Sequence, residues 1–217
     1  MTIQKIYEHY KIPPNLQLHQ LRVAQVAKLI CDNFEEQVDT QSIVAACLLH
    51  DMGNILKFNF DVFPEFTQPE GKDYWETVKQ EFKEKYGNDE HHATLEIAKD
   101  LHIEDHILEL IDAIGFPNAD KNVAQDNFGK KICGYSDMRV APKGINSLLD
   151  RLSDARKRYV DIPNAKWTIE SFLYHQNHWQ EIEKQIFAKC RITPSYISEE
   201  TVNPQIKDLK NFEILSG

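Results

Sequence analysis

The 217-residue chain has only four cysteines, and no two of them stand in a C-x-x-C spacing. That removes zinc-ribbon and dithiol redox motifs. Cys31, Cys47 and Cys133 fall inside apolar helical patterns, where reduced, buried thiols are expected. Glycine is scarce, with eight residues, and none of it builds a P-loop or a Gly-rich dinucleotide turn. A G-x-S-x-G elbow is missing too, so the α/β-hydrolase type of serine nucleophile is excluded. No apolar run nears the roughly 18 residues that span a membrane, and no signal peptide is seen; the expectation is a cytoplasmic protein with no membrane partner. Positive charge is the minority sign, 25 Lys and Arg against 34 Asp and Glu, for a net −9. Such a balance disfavours a nucleic-acid polymer as partner but allows a basic pocket for one small anion. Repeats and low-complexity tracts are absent.

What is present is helical periodicity, interrupted by proline and glycine. Residues 1–11 read as a short amphipathic helix ended by Pro13-Pro14. Asn15 is then the expected N-cap of a helix from Leu16 to about Phe34. Asp39-Thr40 opens a third helix, which runs through seven uncharged, mostly apolar residues, Ile43 to Leu49, into His50-Asp51, with Gly53 as its expected stop. Residues 57–72 carry Phe58, Phe60, Phe63 and Phe66 among prolines and glycine, and read as an aromatic flap over a site or as an extended connector packed on the core, the flap being the favoured of the two. Helices follow over 73–86, from Asp89 or Glu90 to Lys99, over 103–114, from Ile132 to Val140, and over 146–160 and 168–189. The segment from Arg191 is weakly patterned. The expected architecture is therefore all-α, with one domain over 1–190 and a peripheral tail over 191–217.

Several residues able to bind metal or move protons fall on the apolar sides of these helices. His19 shares a face with Val23, Val26 and Ile30, so it points inward. His50 and Asp51 end the most apolar helix, where an unpaired carboxylate would be costly and a bound cation would remove the cost. A surface His-Asp pair at a helix end is the competing reading of that dipeptide. His91 lies beside Leu95 and Ala98, whereas His92 lies beside Glu96 and Lys99, so His91 is the one expected to face the interior. Asp137 sits one turn after Cys133. Two histidines and two carboxylates on separate helices would leave a coordination position open, as catalytic sites do and cysteine-rich structural sites do not.

The order His19, His50-Asp51, Asp137 resembles the HD superfamily of metal-dependent phosphohydrolases. The flanking stretches carry the likeness as well: LQLHQLRVAQVAKLI, AACLLHDMGN and YSDMRVAPKGI, within about residues 12–160. The resemblance implies a single-domain helical bundle holding a divalent metal ion (Mn, Fe, Zn, Mg, Co or Ni) through those four residues. It further implies an activated water that attacks a small phosphorylated metabolite or nucleotide. Asp51 and His91 are then the expected catalytic groups, with Arg22 and Arg139 as phosphate contacts. Nucleotidase-type members place a glutamate shortly after the doublet, where this chain has Asn54 and Ile55. Dinuclear members add two histidines before the last aspartate, and only His91 is in place here. The alternatives are a di-iron oxygenase on the same scaffold and a non-catalytic metal-binding regulatory module.

Overall fold

A computed structural model describes residues 1–215, and its centre is a pair of helices that are buried nearly all round. The first of the pair, α2 (Pro14–Asp32), follows the short α1 (Ile3–His9). It begins one residue before the expected cap. Pro14 takes the first helical position, where its missing N–H costs nothing, and Pro13 rather than Asn15 holds the cap. The second, α3 (Thr40–Leu49), starts as the sequence suggests, with the Asp39 side chain accepting from the Ser42 N–H at 3.1 Å. Every residue of α3 from Ser42 to Leu49 is buried. Each large apolar side chain buried on this pair contributes roughly 1.5–3 kcal/mol.

Around it stand α4 (Lys72–Tyr86), α5 (Glu90–Asp100), α6 (Asp105–Asp112), α7 (Ala119–Ala124) and α8 (Phe128–Met138). Then come a small antiparallel hairpin, β1 (Val140–Ala141) with β2 (Gly144–Ile145), and the helices α9 (Leu148–Tyr159) and α10 (Ile169–Phe187). The fold is all-α apart from that hairpin. Helix α8 starts four residues earlier than the pattern suggests, because Asn127 caps it through the Lys130 N–H. Among the described residues no helix is long and apolar enough to cross a membrane. All four cysteines are free, and burial pushes the Cys31 thiol up to about 12.

Two expectations are corrected. The segment after Arg191 is no peripheral tail. It forms the short helices α11 (Glu199–Val202) and α12 (Ile206–Leu209) and buries Ile197, Val202, Ile206, Leu209 and Ile214. Backbone bonds fasten it to the first residues of the chain, from Ile3 N to Phe212 O (2.9 Å) and from Ile214 N to Met1 O (3.0 Å). Its apolar residues are spread among short turns, so no long period announces them. Gly53, secondly, does not end α3 by adopting left-handed backbone; its φ is −88°. Glycine is needed because α5 crosses directly over it: a Cβ would lie 2.3 Å from Glu90 O and 2.9 Å from Thr94 N. The aromatic segment packs along α4, as the connector reading expects. Phe60 is buried, Phe58 meets it edge-on, Phe63 stacks on Phe66, and Lys79 Nζ donates to Phe58 O at 2.5 Å.

Candidate metal centre

Helix α2, the end of α3 and the last turn of α8 bring His19, His50, Asp51 and Asp137 together. His19 Nε2 lies 3.2 Å from Asp137 Oδ1 and 3.4 Å from Asp51 Oδ2. His50 Nε2 lies 3.6 Å from each of the same two oxygens. Two ligand atoms on one cation at about 2.1 Å sit roughly 3.0 Å apart in an octahedron and 3.4 Å apart in a tetrahedron. The observed separations suit a divalent ion: the donor atoms of His19, His50 and Asp51 all lie within 4.8 Å of one another, and Asp137 stands outside that group but beside both histidines.

The donor set supports the same fit. His50 Nδ1 lies 2.7 Å from Cys47 O, and a carbonyl only accepts, so Nδ1 carries the hydrogen. That leaves Nε2 facing the two carboxylates, buried and without a hydrogen-bond partner. At 3.6 Å neither carboxylate bonds it. A cation uses such a nitrogen's lone pair, and the carbonyl behind the ring fixes the tautomer that offers it. The His50 side chain is 2% exposed, whereas His19, Asp51 and Asp137 keep 19, 22 and 21%. The group is thus closed behind His50 and open on the opposite side.

In the metal-free protein a proton does part of the cation's work. Burial opposes charge on His50, but Asp51 and Asp137 outweigh it and lift the imidazole to about 9. For Asp137 burial likewise acts the other way, and the contact with His19 at 3.2 Å together with the positive charge of the two histidines holds the carboxyl well below its usual range.

Residues that carry no sequence signal hold the turn in place. Tyr7, on α1, donates its buried hydroxyl to Leu48 O at 2.6 Å, and burial keeps that phenol protonated. Thr94 Oγ1, on α5, accepts the Gly53 N–H at 2.9 Å. Gln20, wholly buried beside His19, accepts the Asp51 N–H through Oε1 at 3.3 Å. Each is one polar residue inside an otherwise ordinary helix, which no period distinguishes.

The other expected site residues fall elsewhere. Arg139 is 3% exposed and committed to structure, donating to Asn146 O, the Tyr135 hydroxyl, Pro194 O and Ile197 O at 2.5–3.1 Å. It is not placed to meet a phosphate. Arg22 is turned toward Asn203 Oδ1 (3.4 Å) and Glu199 Oε2 (3.9 Å), both weak contacts that leave most of its N–H groups unspent. His91 does not join the ligand group. The buried positions of α5 are Ala93, Thr94, Ile97 and Ala98, so His91 lies at the edge of that face and its Nε2 meets Asp112 Oδ1 at 2.8 Å. His92 is exposed, as its helical position suggests.

A search of curated proteins and a search of solved structures each returned no match. The HD domain family model matches residues 17–115, a span that contains His19, His50 and Asp51 and ends before Asp137. With that match lying over helices that gather His19, His50 and Asp51, residues 17–115 carry an HD domain.

Proposed function

We propose that the protein is a metal-dependent phosphohydrolase acting on a phosphate ester of a small metabolite or nucleotide. The observation that carries this reading is the buried, unpartnered Nε2 of His50 facing two carboxylates at a site open on its far side. His19, His50, Asp51 and Asp137 are the residues that would hold the cation. A divalent ion bound there supplies Lewis acidity toward a phosphoryl oxygen and lowers the pKa of water toward about 7.

The chain's own groups do the rest. Asp51 and Asp137 turn Oδ2 and Oδ1 respectively toward the histidines. The other oxygen of Asp51 accepts no hydrogen bond among the described residues, and it is our candidate for taking the proton of the attacking water. Arg22, one turn along α2 from His19, has N–H groups to spare for a phosphate. Lys57 stands at the end of the turn that follows Gly53, half-exposed and paired with Glu90 at 2.5 Å; it is the second such cation. The role kept for His91 is protonation of the leaving oxygen, with Asp112 orienting its ring.

The net charge of −9 makes a small phosphate ester the better substrate than a nucleic-acid polymer. Metal analysis of purified protein, followed by a phosphatase screen with Mn, Mg, Co and Ni, tests the reading. One equivalent of divalent metal and metal-dependent phosphate release are expected. A metal-loaded protein inactive on every phosphorylated metabolite tried would sink it in favour of a binding module.

A further inference from the structure

We propose that Gln20 is a positioning residue of the metal centre: its side-chain oxygen replaces the helical acceptors that the Asp51 N–H has lost, and so sets where the Asp51 carboxylate points. In a continuing helix Asp51 N would bond Cys47 O, four residues back, or Leu48 O, three back. Both carbonyls are engaged here, Cys47 O with the His50 ring at 2.7 Å and Leu48 O with the Tyr7 hydroxyl at 2.6 Å. The N–H leaves the helix axis and is taken up by Gln20 Oε1 at 3.3 Å, its one hydrogen bond among the described residues.

The cost of this arrangement marks its purpose. Gln20 is 0% exposed, and its Nε2 has no partner. A buried amide with both donors unspent is less stable than an apolar side chain of the same length. An unbranched apolar residue would fill the gap between α2 and α3 without that penalty. What it would not do is hold the N–H of a residue whose carboxylate lies 3.4 Å from one ligand histidine and 3.6 Å from the other. Packing alone is thus the weaker account of a glutamine at position 20.

The proposal rests on reading the cluster as a metal centre, so its test has one arm that needs no metal. Gln20→Met removes the acceptor and keeps the length; Gln20→Glu keeps an acceptor oxygen. In the metal-free proteins, hydrogen exchange at the Asp51 amide should quicken at least tenfold in Q20M and stay near wild type in Q20E. The melting temperature of metal-free Q20M should equal or exceed that of wild type, a result opposite to that of a purely structural residue. With Mn2+ as the probe, the dissociation constant should rise about 10- to 100-fold in Q20M. Q20E should remain within about threefold of wild type or bind more tightly. A Q20M protein whose Asp51 amide exchanges as slowly as wild type, or which binds Mn2+ equally well, overturns the proposal. If Q20M does not fold, Q20E decides: weakened Mn2+ binding with a fast Asp51 amide counts against it, and wild-type values in both support it. A wild-type protein that binds no Mn2+ defeats the metal reading, while the exchange arm still tests whether Gln20 holds the turn.

Discussion

Replacing Arg139 separates a structural arginine from a phosphate-binding one. Its guanidinium is 3% exposed and serves four acceptors: Asn146 O at 2.5 Å, the Tyr135 hydroxyl at 2.7 Å, Pro194 O at 3.1 Å and Ile197 O at 3.0 Å. These acceptors tie the end of α8 to the residue that follows β2 and to the chain before α11. Arg139→Ala strands them at about 1–3 kcal/mol for each that stays buried, with some relief from repacking. The net loss should be about 3–5 kcal/mol, a large share of the 5–15 kcal/mol that holds an ordinary domain together. At roughly 2–4 °C per kcal/mol for a chain of this size, the melting temperature should fall by about 6–20 °C. Urea unfolding followed by circular dichroism, with a thermal melt, measures both. A loss below about 1 kcal/mol, with phosphate release abolished in a protein that still binds metal, would refute this reasoning and return Arg139 to the substrate.

Asp51→Asn should remove most bound metal while the helical signal persists, as metal analysis and circular dichroism will show; full metal retention would exclude Asp51 as a ligand. Arg22→Ala should slow phosphate ester hydrolysis on the order of a hundredfold with metal content unchanged, if its guanidinium stabilises charge in the transition state. A wild-type rate would confine Arg22 to its contacts with Asn203 and Glu199. Metal uptake should release about one proton at pH 7, because His50, lifted to about 9, must lose its proton to become a ligand. Calorimetry in buffers of different ionisation enthalpy counts that proton, and affinity should climb with pH until about 9. In the metal-free protein the signs are opposite for the two groups. The stabilisation from protonated His50 is complete below about 6.5 and is lost as pH rises through about 9. That from Asp137, whose folded value is depressed, is present above the ordinary carboxylate range and is lost as pH falls below it.

The fold is legible where period and punctuation agree. Asp39 before an apolar run, Gly87 after an amphipathic one and Asp89 before another each mark a helix end in the structure. His19 can be aimed inward because Val23, Val26 and Ile30 share its face and are wholly buried. The same periodicity puts His91 on the buried side of α5 and is off by part of a turn. A residue at the edge of a buried face turns toward whichever partner is near, and Asp112 on α6 cannot be foreseen from α5 alone. The role of Arg139 is hidden because its acceptors include main-chain carbonyls up to 58 residues away, and a carbonyl leaves no mark in a sequence. The C-terminal segment is hidden because its apolar residues serve short turns, whose burial depends on what they wrap around.

The same distinction accounts for ligands that are visible in the sequence and supports that are not. A ligand is chosen for its chemistry, so the residue type itself carries information: an imidazole and a carboxylate at a buried helix end are costly to keep there without a cation between them. A support is chosen for one hydrogen-bonding atom at one place, and many side chains or a backbone group can supply it. Tyr7, Thr94 and Gln20 hold the turn after α3 through a phenol, a hydroxyl and an amide, each from a different helix. Gly53 holds it by having no side chain to obstruct α5. The four act on consecutive stretches of one short turn, Leu48 to Gly53. Within that turn the two adjacent ligands must point the same way, although neighbours in a helix diverge by about 100°. The helix ends at Leu49, His50 Nε2 and Asp51 Oδ2 come within 3.6 Å of each other, and the polar groups of Tyr7, Gln20 and Thr94 take up the backbone of the turn between them.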